Sequence, residues 1–97
     1  MGGKRRALGV GPMVFPDGTT LRRYGGDAIG PPGSPGERSG VRLNSSQWWL
    51  SLELPDGSVE WWAAERSWSK AYAAVDGAES AEEVRVGLEM ARATPQS

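Results

Sequence analysis

Glu53 and Glu60 lie three residues to either side of Asp56-Gly57, so a hairpin closed on that dipeptide sets two carboxylates opposite each other. This is the one spacing in the chain that resembles the acid pair of a glycosidase. A chain of 97 residues leaves no room for a saccharide cleft around it. Glu79, Glu82, Glu83 and Glu89 form a second acidic group, but three of them gather at the start of an expected helix, where the macrodipole favours negative charge. Cysteine is absent, which excludes thiolate nucleophiles, disulfides and Cys-ligated zinc. Histidine is absent too, which removes the usual metal ligand and the commonest general base near neutral pH. No catalytic, metal-ligating or cofactor-binding residue is assigned, and the expectation is a protein that is not an enzyme.

Binding chemistry is better represented. Four of the five tryptophans form two pairs, Trp48-Trp49 and Trp61-Trp62, flanking Pro55-Asp56-Gly57-Ser58. Neighbours in a strand point to opposite faces, so one ring of each pair lines a core and the other lies on the far face. With the turn closed at Asp56-Gly57, Trp49 and Trp62 are the far-face pair, and so much aromatic surface is expected to meet a partner. Lys4, Arg5, Arg6, Arg22 and Arg23, with Tyr24 beside them, supply positive charge for an acidic protein surface or for phosphates. The net charge of -1 and the lack of a helix-turn-helix, zinc or RNP pattern weigh against nucleic acid. The expected partner is a protein or a second copy of the chain, as for an assembly subunit, a phage virion accessory or a phage-encoded host-binding protein. A single-strand nucleic-acid binder using the arginines and aromatic rings is the alternative.

Charge is divided along the chain. Residues 1–42 carry seven basic and three acidic side chains, a net of +4, and residues 43–97 carry four basic and nine acidic, a net of -5. Nine arginines against two lysines suit a GC-rich genome, such as that of an actinobacterium or its phages. Ala7 to Val10 is too short for a signal-peptide core, Arg6 occupies the position where a myristoylation signal wants Ser or Thr, and no window is long enough to span a bilayer. A cytoplasmic or virion location without membrane contact is expected.

The elements that must position these residues follow from turn and helix signals. Residues 1–12 read as a flexible basic arm, and residues 13–24 as a hairpin around Pro16-Asp17-Gly18. Residues 25–40 hold nine Gly or Pro in sixteen positions and read as a linker without helix or ladder. Residues 41–94 read as a ββαα body. Trp48, Leu50, Leu52 and Leu54 alternate with Trp49, Ser51 and Glu53, and Val59 and Trp61 are expected on the Leu face. A helix is expected over residues 64–75, built on Ala64, Trp68, Ala71, Tyr72 and Val75 and stopped at Asp76-Gly77. Ser80-Ala81-Glu82-Glu83 is a capping box, with Glu83 reaching back to Ser80, and opens a second helix that Pro95 ends. The expected fold is α+β: a small antiparallel sheet of two hairpins covered on one face by a C-terminal helical hairpin, with a Gly/Pro-rich N-terminal arm and linker.

Overall fold

Pro16 and Pro55 decide how the chain turns. A two-residue loop at Asp56-Gly57 requires residue 55 to donate its N–H to the Ser58 carbonyl, and proline has no N–H. The structure, a computed structural model that describes residues 11–24, 33–43, 47–65 and 68–96, closes a three-residue loop instead. The Leu54 N–H donates to the Ser58 carbonyl at 2.8 Å, the Gly57 N–H donates to the Leu54 carbonyl at 2.9 Å, and Gly57 takes φ +92°. The first turn repeats this geometry: Phe15 donates to Thr19 at 2.8 Å, and Gly18, at φ +95°, donates to Phe15 at 2.9 Å. Each is a type I turn followed by a left-handed glycine.

Strands β1 (Met13–Val14), β2 (Thr20–Tyr24), β3 (Trp48–Glu53), β4 (Val59–Ala64) and β5 (Thr94–Gln96) form one antiparallel sheet in chain order. Helices α1 (Pro35–Ser39), α2 (Trp68–Ala74) and α3 (Ala81–Met90) complete a small α+β fold. Leu21 pairs with Leu52, Leu50 with Trp62, and Ser51 with Trp61. The β3–β4 pairing is thus one residue away from that expected, and a slip of one residue sends every side chain of a strand to the other face. Leu21, Leu50, Leu52 and Trp62 share the first face and form one core with Ala71, Tyr72, Val75, Val84 and Leu88. Trp61 and Val59 leave that face, contrary to the alternation read from the sequence.

Four further expectations change. Residues 25–40 are not devoid of helix: Ser34 caps α1, its hydroxyl accepting from the Glu37 amide at 3.4 Å, and Pro35 occupies the first turn, where its missing N–H is harmless. Glu37 in turn accepts from the Gly33 amide at 2.8 Å. Ala64 belongs to β4, paired with Trp48, and the helix expected from residue 64 starts at Trp68. The side chain of Trp68, expected in the core, lies outside the described residues. Glu83 in the α3 cap accepts from Glu79 at 2.8 Å rather than from Ser80, while Ser80 accepts from Glu83 as expected. Pro95 does not end α3. The helix stops at Met90 because Arg92 turns left-handed at φ +72°, so that Arg92 donates to Glu89 and Ala93 to Leu88 in a Schellman arrangement. Pro95 falls in the edge strand β5, where a missing donor is tolerated.

Two contacts join the elements at long range. Asp17 in the first turn accepts from Thr19 at 2.9 Å with one oxygen and from the Ala81 amide at 3.0 Å with the other, tying that turn to the start of α3. The hydroxyl and amide of Thr19, with the Ala81 amide, hold the Asp17 carboxyl below its ordinary 3.8. Arg85 of α3 grips Glu60 of β4 through Nε and Nη2, with Nε 3.0 Å from Oε1. This holds the Glu60 carboxyl below 4.5 even though burial pushes it up.

Both carboxyls are more acidic in the folded chain than their ordinary values, so each stabilises the fold at neutral pH and loses that contribution as pH falls through its lowered folded value. Glu60→Gln is expected to lower the urea midpoint at pH 7 and to flatten the decline in stability below pH 4.5. Gly87 of α3 has no space for a side chain, since a Cβ there falls 2.8 Å from the Ala74 carbonyl oxygen and 2.9 Å from Val75 Cγ1. Gly87→Ala is expected to cost about 1 to 3 kcal/mol. Arg92→Gly is expected to stabilise by about 1 kcal/mol, because glycine adopts the left-handed conformation without strain. Urea denaturation of the two variants measures both.

Candidate protein-interaction surface

The second face of the sheet carries Tyr24 from β2, Trp49 and Ser51 from β3, and Trp61 and Ala63 from β4. Trp49 is fully buried and forms a small cluster with Leu43 and Ala63, against which Tyr24, Val41 and Trp61 pack. The chain after α1 thus covers one end of this face with Val41 and Leu43. Trp61 stands at the border of the cover and is half-buried. Its ring meets Trp49 edge-on, with centroids 6.1 Å apart and planes at 87°, and lies 5.5 Å from the Tyr24 ring. Two such contacts fix the indole before any partner arrives. Ser51 donates its hydroxyl to Tyr24 Oη at 3.4 Å, which holds the phenol beside it.

Nearer the turns the face is open. Val14 is 71 % exposed and Val59 is 45 % exposed, and both lie in the row of side chains next to Trp61. Thr20 and Glu53 lie between them, and Arg22 from the row of Trp61 forms an ion pair with Glu53, its Nε 2.7 Å from Oε2. The open part of the face is therefore apolar at its flanks and doubly charged in the middle.

The residues singled out from the sequence are redistributed. Trp62, expected beside Trp49 on an open face, is 2 % exposed on the first face, and Trp49 itself has no exposed surface. Neither ring is available to a partner, and Trp61 is the half-buried ring on the second face. The displacement follows from the three-residue turn, and Pro55 was the signal in the sequence that excluded the shorter loop. Glu53 and Glu60 do not form a pair: Glu53 faces Arg22 on one side of the sheet and Glu60 faces Arg85 on the other. Arg22 and its neighbour Tyr24 lie on the second face, while the Arg23 guanidinium sits 4.9 Å from the centroid of the Trp48 ring. Lys4, Arg5 and Arg6 lie outside the described residues.

A shallow cleft lined by Gly11, Pro12, Arg22, Arg23 and Tyr24 encloses about 180 Å³, below the volume of most small-molecule pockets. Among the described residues no group of three acidic side chains could hold a metal ion, and no helix is long and apolar enough to cross a membrane. Searches with protein-family models, against curated proteins and against solved structures give no match.

Burial rather than face separates the paired tryptophans. Trp49→Ala and Trp62→Ala are each expected to cost about 3 to 5 kcal/mol by emptying a core position. Trp61→Ala is expected to cost about 1 to 2 kcal/mol, the worth of its two ring contacts. Thermal denaturation of the three variants at equal concentration checks the order.

Proposed function

We propose that this chain is a non-catalytic protein-interaction or assembly subunit that docks a protein through the open part of the second face, with Trp61 as the anchor. The observation that carries this is a half-buried indole held edge-on by Trp49 and flanked by Tyr24, two positions along β4 from the exposed Val59. Anchors at interface centres are typically aromatic side chains already fixed before binding, since little conformational entropy is then lost. In this reading α2 and α3 act as a helical hairpin over the first face, which leaves the second face to the partner. Glu53 beside Arg22 and Trp48 under Arg23 already engage the two arginines of β2, which favours protein over nucleic acid.

A photo-cross-linking residue at Val59 tests the proposal in a lysate of the source organism, with the same residue at Glu82 of α3 as the control. The expected result is a cross-linked protein band at position 59 that is absent at position 82 and that Trp61→Ala reduces by about tenfold or more. Equal labelling at both positions, or a cross-link to nucleic acid that fades steeply with salt, overturns it.

A further inference from the structure

We infer that two copies of the chain join through the open part of the second face, across a two-fold axis that sets Arg22 of each copy against Glu53 of the other. This rests on the interaction reading above and names its partner. Arg22 and Glu53 are neighbours on one face, and their side chains are 44 % and 37 % exposed. Such an exposed pair contributes little within one chain. It nevertheless presents a cation and an anion side by side, and that arrangement is complementary to its own copy turned through 180°. A uniformly acidic or basic partner leaves one of the two charges facing its like.

The surroundings agree with this occupant. Val14, Val59 and Trp61 give each copy apolar surface around the charges, and a two-fold brings apolar flank against apolar flank. The net charge of -1 sets up almost no long-range repulsion between copies. One row of side chains, from Val14 to Val59, is open, while Ser51 in the next row between Arg22 and Trp61 is buried; this is less than the roughly 800 Å² per partner of a tight complex, so the association is weak and belongs in the high micromolar range.

Sedimentation velocity on the full chain, from about 10 µM to about 1 mM at low salt, reads the equilibrium directly. The parent is expected to shift from monomer toward twice the monomer mass. Arg22→Glu and Glu53→Arg are each expected to weaken this about tenfold or more, because like charges then meet across the axis. Mixing the two variants in equal amounts is expected to restore association to within about threefold of the parent, since both cross-copy contacts regain opposite charges. The ion pair within each chain stays broken in that mixture, so a purely internal role for Arg22 and Glu53 cannot restore it. A parent that remains monomeric throughout, or a mixture no stronger than either variant alone, overturns the inference. If the parent is monomeric while Val59 still cross-links a different protein, self-association alone is wrong. If Val59 labels nothing above the control as well, the interaction reading falls with it.

Discussion

The absent N–H of Pro55 governs this molecule more than any contact it makes. Because that residue cannot complete a two-residue hairpin, Asp56-Gly57 is forced into a three-residue loop with Gly57 left-handed, and β4 is displaced by one position against β3. Everything on β4 follows from the displacement. Trp62 enters the core with Leu50 and Leu52, Glu60 turns toward Arg85 of α3, and Trp61 emerges on the opposite face between Tyr24 and Trp49. With the shorter turn, the core would receive Trp61 and Val59, and Glu60 would lie across from Glu53 with neither arginine between them.

The same turn, used twice, does different work at its two sites. Asp56 accepts from Ser58 through both the amide and the hydroxyl, and its hydrogen bonding is complete within the turn. Asp17 also accepts from the residue two positions on, but its second oxygen reaches the first residue of α3, 64 positions away. One local motif thus closes a hairpin and caps a helix. Together with the Glu60–Arg85 pair it fixes α3 on the sheet at two points, and the close approach at Gly87 sets how near α3 lies to the end of α2. A fold this small depends on such convergence, because it buries too little apolar surface for any one contact to be redundant.

The candidate surface is a by-product of incomplete cover. The segment after α1 lays Val41 and Leu43 over Trp49, whereas Val14 and Val59 on the same face are exposed, so the sheet changes from core to surface along its own strands. Trp61 sits at that border. It has enough neighbours to be rigid and enough exposure to meet a partner, which is the condition of an anchor residue. Beyond it the face combines valines with one ion pair, a surface that a second copy can match and that water alone covers poorly.

Much of this was written locally. The hairpin turns, the Ser80 cap, the left-handed Gly77 and the core positions of Leu50, Leu52, Tyr72, Val84 and Leu88 follow from short-range rules of periodicity and backbone freedom. The Ser34-Pro35-Gly36-Glu37 cap of α1 was also present in the sequence, obscured by the glycine and proline content around it. The faces of the two tryptophan pairs were legible for β3 but not for β4, because face follows register, and register depended on a hydrogen bond that one proline cannot make. Other features had no local signal at all. Nothing near Asp17 points to Ala81, nothing near Gly87 announces the carbonyl of Ala74, and the left-handed Arg92 carries a conformation that its residue type disfavours. The pairing of Arg22 with Glu53, which gives the open face its charge, joins residues from different hairpins. Only the packed sheet could set them side by side, since their distance is fixed by strand order and register rather than by anything either residue meets along the chain.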